Sequence, residues 1–330
     1  MSSGDSSHSS GRSETPRFGA VAKTGLILVA LVALLGFALA DPDIGTRLGV
    51  SLVPGGSEVQ SCESSEPTAT PIAAPPDVPE ESAEFVLDFE TSDPGPYSDG
   101  DLDRDWNQPD WNNGVSEGRV TVGAAAGHGR VLRVEYPSGA FGSRDSGAQW
   151  QLAIDSTDAA YVRYLIRFVG DFDYVLGGKL PGLAGGEANT GGSVPDGTDG
   201  WSARMMWRES GCAVSYVYHP DQPGEFGEDL DWLVPFRTNE WHLVEQVVVM
   251  NTPGQHDGMV LGWIDGEPRV DHRDLRFRDE SALAIDTLYF STFFGGGSEP
   301  WAATSNEYVE FDDFVVAALT SESTQRLVES

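Results

Sequence analysis

Two adjacent segments, WSARMMWR (201–208) and CAVSYVY (212–218), alternate in polarity and are separated by the three residues ESG. Alternation with a period of two is typical of β-strands. A glycine suits the left-handed conformation that often ends a three-residue hairpin loop. The two segments are therefore predicted to form a β-hairpin.

The register of this hairpin decides which side chains meet. With a loop of only those three residues, Arg204 lies opposite Tyr216 and Ser202 lies opposite Tyr218. All four side chains then share one face, because side chains alternate along a strand. The register predicts a patch of one cation, two phenols and one hydroxyl. The alternative interpretation is ordinary packing of Tyr and Arg on a solvated sheet face.

A lysine stands out in a chain that has only two of them. Lys23 precedes an apolar segment near the N-terminus, and Lys179 lies within GGKLPGLAGG (177–186). The glycines of this second segment predict a loop. A single lysine in a loop is usually just solvated, so its position alone assigns it no role.

The chain from 84 to 318 is predicted to be one all-β domain. Short alternating segments bounded by Gly, Asp, Asn and Pro recur along it, and it contains no apolar period of 3.6 residues long enough for a sizeable helix. This pattern favours an antiparallel β-sandwich of jelly-roll type. Besides the hairpin, the predicted strands are 131–136, 161–168, 242–250, 259–265, 287–294 and 308–316.

Several motifs of this domain resemble those of polysaccharide lyase family 14. They are GGKLPGL, Ser-x-Arg in WSARMMWR, Tyr-x-Tyr in VSYVYHP, and the later FFGG and EFDDFVV, all within residues 85–317. The resemblance implies a β-jelly roll and a lyase that cleaves a polyuronate, chiefly alginate and in some members glucuronan, leaving unsaturated uronate ends. It further implies that the catalytic residues are Lys179, Ser202, Arg204, Tyr216 and Tyr218.

Cleavage of a polyuronate by β-elimination gives these residue types specific tasks. The proton on C5 leaves, the C4–O bond breaks, and a cation at the adjacent carboxylate stabilises the charge that develops. Arg204 can bind a carboxylate through two hydrogen bonds, whereas Lys179 can act as a point charge or, if burial lowers its pKa, as a base. A nearby cation favours a phenolate, so we expect Arg204 to lower the pKa of Tyr216.

Tyr216 and Tyr218 are the acid and base candidates, without an assignment of which is which. Ser202 is expected to orient the substrate or a phenol by hydrogen bonding. Trp301, in the loop GGGSEPWAATS, is predicted to bind substrate by stacking on a sugar ring. This chemistry requires no metal or organic cofactor, with a structural calcium ion as the alternative in so acidic a protein.

The charge of the chain restricts its partners. A net charge of −32 and a pI near 4.2 exclude a general affinity for nucleic acid or for an anionic membrane surface. We interpret the excess of carboxylates as the adaptation of a halophilic protein to high salt, whereas high-GC codon usage accounts only for the scarcity of lysine. The expected partner is an acidic polysaccharide, and the protein is expected to be a monomer.

The N-terminal part is predicted to direct export. Residues 1–23 form a polar tail with positive charges, and residues 24–40, TGLILVALVALLGFALA, carry no charge. This arrangement orients the chain so that the domain lies outside the cell, extracellular or at the cell surface. The apolar segment is either a transmembrane signal anchor, which would attach the protein to the membrane, or a cleaved signal peptide.

Two further segments flank the domain. Residues 41–83 are rich in Pro, Ser and Glu and are expected to form a disordered linker, and residues 319–330 a polar C-terminal tail that frays. Cys62 falls in this linker and Cys212 in the hairpin. A disulfide from a mobile linker into a sheet is not expected.

Two other functions are compatible with a jelly roll. A non-catalytic carbohydrate-binding module anchored at the cell surface would need an aromatic platform, but neither Lys179 nor both tyrosines. A hydrolase would need paired carboxylates, about 5–5.5 Å apart in a retaining enzyme. The Glu-x-Asp-x-x-Glu strand of some sandwich hydrolases is absent, and Asp265 and Glu267 are expected in a turn.

Overall fold

The computed structural model describes Cys62 and residues 74–330. The predicted tail 1–23, the predicted apolar segment 24–40 and most of the predicted linker 41–83 lie outside the described residues. Within the described part, no helix combines the length and the apolar character that crossing a membrane needs.

The domain is a β-sandwich of jelly-roll type with two antiparallel sheets, as the sequence predicts. The described residues form a larger sheet of nine strands and a smaller sheet of seven. The larger sheet contains β1 (Phe85–Leu87), β2 (Gly95–Pro96), β4 (Val120–Ala125), β5 (Gly129–Tyr136), β7 (Ala159–Val169), β12 (His242–Val249), β13 (Gly258–Ile264), β14 (Glu267–Leu275) and β16 (Glu307–Ala318). The smaller sheet contains β3 (Asn112–Asn113), β6 (Ala148–Thr157), β8 (Gly177–Gly186), β9 (Gly200–Arg208), β10 (Cys212–Tyr218), β11 (Glu228–Pro235) and β15 (Ile285–Phe294).

The order of the strands determines which residues can share a site. The larger sheet runs β14-β13-β12-β7-β16-β5-β4-β2, with β1 beside β16. The smaller sheet runs β11-β10-β9-β8-β15-β6-β3, so the predicted hairpin of β9 and β10 lies directly beside β8. In the described part of the chain, three short α-helices accompany the sheets: α1 (Asp99–Asp105), α2 (Gly142–Asp145) and α3 (Ser321–Glu329). Single 3-10 turns lie at Glu80–Ser82, Glu209–Gly211 and Glu299–Trp301.

Aromatic side chains join the two sheets. Trp106, which follows α1, contacts Phe290 of the smaller sheet and Phe314 of the larger sheet, with ring centroids 5.2 Å apart in both pairs. Trp150 of β6 stacks on Phe290 at 4.0 Å. All four rings are completely buried. Such pairs contribute about 0.5–1.5 kcal/mol beyond the burial of their area, so these rings stabilise the packing of one sheet on the other.

The eight strands predicted from alternation are confirmed, each within two residues of its expected ends. The prediction of a loop at 177–186 is wrong, because these residues form β8, in the middle of the smaller sheet. Strands β1 to β4, β6, β11 and β14 were not predicted either. Asp265 lies in a turn as expected, whereas Glu267 begins β14.

The glycines of β8 are required by close packing and not by a turn of the chain. A Cβ atom at Gly178 would lie 2.1 Å from the ring of Trp207, and one at Gly182 would lie 2.3 Å from the carbonyl oxygen of Ala203. Glycine in a strand often marks such an approach of a neighbouring chain. The residues that predicted a loop therefore let β9 and its tryptophan lie directly against β8.

The ends of the domain differ from the sequence prediction. Residues 319–330 were expected to form a fraying tail, but they contain the helix α3. This helix begins after Thr320, whose Oγ1 accepts a hydrogen bond from the Ser323 backbone N–H at 3.1 Å. Leu327 of α3 is buried in a cluster with Trp263 of the larger sheet. Val78, from the predicted linker, packs against the same cluster.

Cys62 and Cys212 form a disulfide, with their Cα atoms 5.6 Å apart. The expectation that these cysteines stay unpaired is therefore wrong. The bond ties a residue of the predicted linker to the first residue of β10, the strand that carries both predicted catalytic tyrosines.

We predict that Gly182→Ala lowers the free energy of unfolding by about 1–3 kcal/mol, because the new Cβ overlaps the backbone of β9. Gly123→Ala is the matched control, since Gly123 also lies in a strand but a Cβ there meets no atom within 4 Å. Urea unfolding of both variants measures the difference. Equal stabilities would contradict the close-packing explanation.

Candidate active site

The predicted register of the hairpin is confirmed. In the antiparallel pair of β9 and β10, Arg204 lies opposite Tyr216 and Ser202 lies opposite Tyr218. The connection ends in Gly211 with φ of 80°, the left-handed conformation that the loop requires. The sequence therefore determines correctly which side chains of the two strands face each other.

Alternate residues of β9 lie on opposite sides of the smaller sheet. The odd-numbered residues from Trp201 to Trp207 belong to the core between the sheets. Arg204 and Met206 consequently point to the other side of the sheet, away from that core. This side carries the candidate site.

A groove of about 770 Å³ lies on this side of the smaller sheet. Five of the six predicted site residues line it: Lys179, Arg204, Tyr216, Tyr218 and Trp301. Other side chains that line it come from neighbouring strands and loops: Gln149, Arg208, Phe226, Glu228, Asp229, Tyr289 and Phe293.

Lys179 reaches the groove from β8, where it pairs with Met206 of β9. Its Nζ atom lies 2.6 Å from the sulfur of Met206 and 3.6 Å from the centre of the Tyr216 ring. Burial, followed by the charges of Arg204 and Arg208, holds the pKa of Lys179 well below its ordinary value. Lys179 therefore loses its proton far more easily than a solvated lysine.

Arg204 is the second basic group in the groove and is almost completely buried. One of its terminal nitrogens, Nη1, donates to the hydroxyl of Ser291 at 3.0 Å, and the guanidinium lies 5.0 Å from the centre of the Tyr289 ring. Its Nε is buried and has no hydrogen-bond partner. Burial lowers the pKa of Arg204, the direction expected for a cation removed from water.

Among the described residues, no carboxylate forms an ion pair with Lys179 or with Arg204. The third basic residue, Arg208, is paired, because its Nε and Nη2 bind both oxygens of Asp229 at 2.8 and 2.6 Å. A buried cation without a partner is costly. An anion bound in the groove therefore meets basic groups that no described carboxylate pairs with.

Tyr216 differs from the prediction, which had Arg204 lowering its pKa. Burial and the neighbouring Tyr218 instead raise the pKa of Tyr216 well above its ordinary value, and Arg208 opposes them only in part. The two phenol rings meet edge to face at 5.5 Å. Tyr216 is therefore a protonated phenol over the whole neutral range, suited to donate a proton.

Tyr218 and Ser202 are both held by the loop between β8 and β9. The backbone N–H of Gly192 donates to the Tyr218 hydroxyl at 3.3 Å. The Ser202 hydroxyl donates to the carbonyl of Asn189 at 2.7 Å, and Ser202 is completely buried. Ser202 does not line the groove, and its predicted role in orienting the substrate or a phenol stays a prediction.

Trp301 lines the groove from a short 3-10 turn, Glu299–Trp301. Its ring lies 5.9 Å from the Arg208 guanidinium carbon and rests on Gly296, where a Cβ would be only 2.4 Å away. This position is compatible with stacking on a sugar, which stays a prediction.

Sequence reasoning missed the residues that the groove takes from β6 and β15. Tyr289 and Phe293 of β15 line the groove, and Ser291 between them binds Arg204. These residues alternate along the predicted strand 287–294, so their shared face was visible, but nothing in the sequence places that strand beside β8. Gln149 lies on β6, which was not predicted, and its Oε1 accepts from the Tyr289 hydroxyl at 3.5 Å.

Among the described residues, no group of three or more His, Cys, Asp or Glu side chains is arranged to hold a metal ion. The expectations that the reaction needs no cofactor and that calcium is at most structural stay predictions.

The sequence profile of the family Polysaccharide lyase 14 matches residues 124–314, more than half of the chain. The chain belongs to polysaccharide lyase family 14. It is therefore a polysaccharide lyase, and the resemblance seen in its motifs is confirmed. The matched region includes every groove residue discussed above.

Solved structures agree with this membership. This family 14 lyase is 26% identical to alginate lyase Aly36B, with a TM-score of 0.63 over 71% of this chain and 96% of that chain. It is also 26% identical to the marine PL-14 alginate lyase from Aplysia kurodai, with a TM-score of 0.63 over 72% and 99%. Alginate lyase vAL-1 from Chlorella virus shares the fold, at 21% identity and a TM-score of 0.59 over 72% and 100%. No curated protein matches the chain in sequence.

We predict that Arg204→Met raises the free energy of unfolding by about 1–4 kcal/mol, because a buried cation without a carboxylate partner is replaced by an apolar side chain of similar length. Arg167→Met is the matched control with the opposite sign. Arg167 Nε donates at 2.8 Å to Glu310, which is completely buried, so its loss lowers stability by about 1–3 kcal/mol. Thermal or urea unfolding measures both changes, and destabilisation by Arg204→Met would contradict the account of the groove.

Proposed function

We propose that this family 14 lyase cleaves alginate by β-elimination in the groove of the smaller sheet. The observation that carries the proposal is the pair of buried basic groups, Lys179 and Arg204, for which the described residues provide no counter-ion. A uronate carboxylate supplies the missing charge beside Arg204. An Aly36B variant with a lysine and a tyrosine replaced by alanine is known in complex with an alginate tetrasaccharide, and that protein is 25% identical to this chain.

Arg204 has the geometry of a group that binds the carboxylate next to the reacting carbon. Its Nε has no partner, and Ser291 holds only one of its terminal nitrogens. A guanidinium presents its N–H groups as a planar fork that matches the two oxygens of a carboxylate. Bound in this way, Arg204 stabilises the negative charge that moves onto the carboxylate as C5 loses its proton.

Lys179 is assigned as the base. Its amine takes the proton from C5, the electrons of the C5–H bond form the C4–C5 double bond, and the C4–O4 bond breaks. Tyr216 donates its phenolic proton to O4 as the leaving sugar departs, and the proton that Lys179 gained later returns to Tyr216 through water. The lowered pKa of Lys179 and the raised pKa of Tyr216 favour this order of roles.

The sign of the pH dependence follows from this assignment. Only the neutral amine of Lys179 can accept the C5 proton, so activity increases as the pH rises through the pKa of Lys179. Burial holds that pKa well below the ordinary lysine value, so the neutral amine is available over a pH range in which a solvated lysine is still protonated. Tyr216 keeps its proton over the same range because its own pKa is raised.

We predict that the protein releases unsaturated uronate ends from alginate, seen as a rise in ultraviolet absorbance. Lys179→Ala and Tyr216→Phe reduce kcat by about 10²–10⁴-fold, the usual contribution of a positioned base or acid. Arg326→Ala, in the exposed part of α3, is the control and keeps full activity. A panel of polymannuronate, polyguluronate and glucuronan identifies the linkage cut.

Two outcomes contradict this proposal. Binding of alginate without any new absorbance indicates a carbohydrate-binding module. Depolymerisation by Lys179→Ala at the rate of the wild type removes Lys179 from the chemistry, even if the protein is a lyase.

We further propose that the enzyme is exported. The apolar segment 24–40 with positive charges before it supports export, and so does the disulfide of Cys62 and Cys212, since disulfides persist mainly in oxidising compartments. Expressed in a secreting host, the chain is expected outside the cytoplasm with both thiols blocked. The mass of the recovered protein distinguishes a retained anchor from a cleaved signal, and a reduced cytoplasmic protein contradicts export.

A further inference from the structure

Met206 is an exception among the groove-facing residues of β9. That face otherwise carries a hydroxyl and two guanidiniums, from Ser202, Arg204 and Arg208. Met206 is completely buried and packs with Val214, Tyr216 and Tyr218 of β10. An unbranched thioether in this position does not serve the main core, which lies on the other side of the sheet.

Two contacts define what surrounds the Lys179 amine. The antiparallel pairing of β8 and β9 sets Lys179 opposite Met206, and Nζ lies 2.6 Å from the thioether sulfur. Nζ also lies 3.6 Å from the centre of the Tyr216 ring. Sulfur is a weak hydrogen-bond acceptor, and the face of an aromatic ring carries negative charge density.

We propose that Met206 is a positioning residue for the reaction, whose sulfur holds the Lys179 amine in place while giving it no charged partner. This inference rests on the proposed role of Lys179 as the base. A neutral amine has two N–H groups and one lone pair. One N–H points to the sulfur and the other to the Tyr216 ring, and the lone pair remains for the C5 proton.

An uncharged acceptor matters because a carboxylate in the same place would favour the ammonium form. The acidic side chains that line the groove are already bound elsewhere, Asp229 to Arg208 and Glu228 to His219 at 2.8 Å. The titratable and charged groups that face Lys179 across the groove are Arg204, Arg208, Tyr216, Tyr218, Glu228, Asp229 and Tyr289. Of these, Arg204 and Arg208 lower the pKa of Lys179 and Asp229 opposes them.

Three variants of Met206 test this role. Met206→Leu removes the acceptor and nearly conserves the volume. Met206→Gln restores an uncharged acceptor, and Met206→Glu introduces a charged one. Met205→Leu is the matched control, because Met205 is the next residue of β9 but faces the core, where its sulfur accepts from Ser215 at 3.6 Å. The readouts are kcat, KM and the acid limb of the pH–kcat profile on alginate.

We expect Met206→Leu to lower kcat by about tenfold to a hundredfold with little change in KM, since the base is misplaced but the carboxylate site is intact. Met206→Gln recovers a large part of that loss. Met206→Glu moves the acid limb to higher pH by about one to three units, because the new carboxylate favours the ammonium form. Met205→Leu leaves the limb of the wild type unchanged.

The inference is overturned if folded Met206→Leu has the kcat of the wild type, or if Met206→Glu loses activity without any movement of the acid limb. The second result indicates a structural role only. Should Met206→Leu not fold, the comparison of Met206→Gln with Met206→Glu decides, since both side chains have the same shape. Lys179→Ala distinguishes a failure of the proposed function from a failure of this inference. If Lys179→Ala stays active, the proposed function fails. If Lys179→Ala is inactive while Met206→Leu behaves as the wild type, only the inference about Met206 fails.

Discussion

The burial of two basic groups without a counter-ion is the constraint on which the rest of this structure depends. Arg204 and Lys179 lie on the outer side of the smaller sheet, and no carboxylate among the described residues pairs with either of them. Removing such groups from water costs free energy that the rest of the fold has to offset. The cost has a chemical use, since an anionic sugar completes the site and a desolvated amine gives up its proton easily. Arg208 differs from these two residues, because Asp229 already supplies its counter-ion.

The sheet architecture makes this arrangement because it places side chains from six neighbouring strands on one face. Lys179 on β8 and Arg204 on β9 meet only because these strands pair tightly, with glycines in β8 leaving room for Trp207 and for the backbone of β9. The opposite faces of the same strands pack into the aromatic core between the sheets, which holds the strands in position. Packing in the core and chemistry in the groove therefore share one backbone, and a change in β8 affects both.

Alternation along the chain was enough to predict eight strands, the jelly roll and the opposition of Arg204 and Tyr216, because a three-residue loop fixes the register between neighbours in sequence. It was not enough for contacts between strands far apart in sequence. β8 was taken for a loop because glycine has no side chain to show which face it occupies. Ser202 was assigned correctly to its register position. The sequence does not show, however, that the loop residue Asn189 lies beside Ser202 and binds its hydroxyl. The direction of the Tyr216 pKa also failed, because burial outweighs a neighbouring cation and sequence does not reveal burial.

The scarcity of lysine allows the protonation of Lys179 to be measured directly. With only Lys23 and Lys179 in the chain, the protein labelled with ¹³C and ¹⁵N at lysine gives two side-chain signals in an NMR pH titration. We expect one signal to titrate near the ordinary lysine pKa of about 10.4 and the other, absent in Lys179→Ala, to titrate well below it. Titration of the Lys179 signal at the ordinary value would show a solvated ammonium and contradict the assignment of Lys179 as a buried, easily deprotonated base.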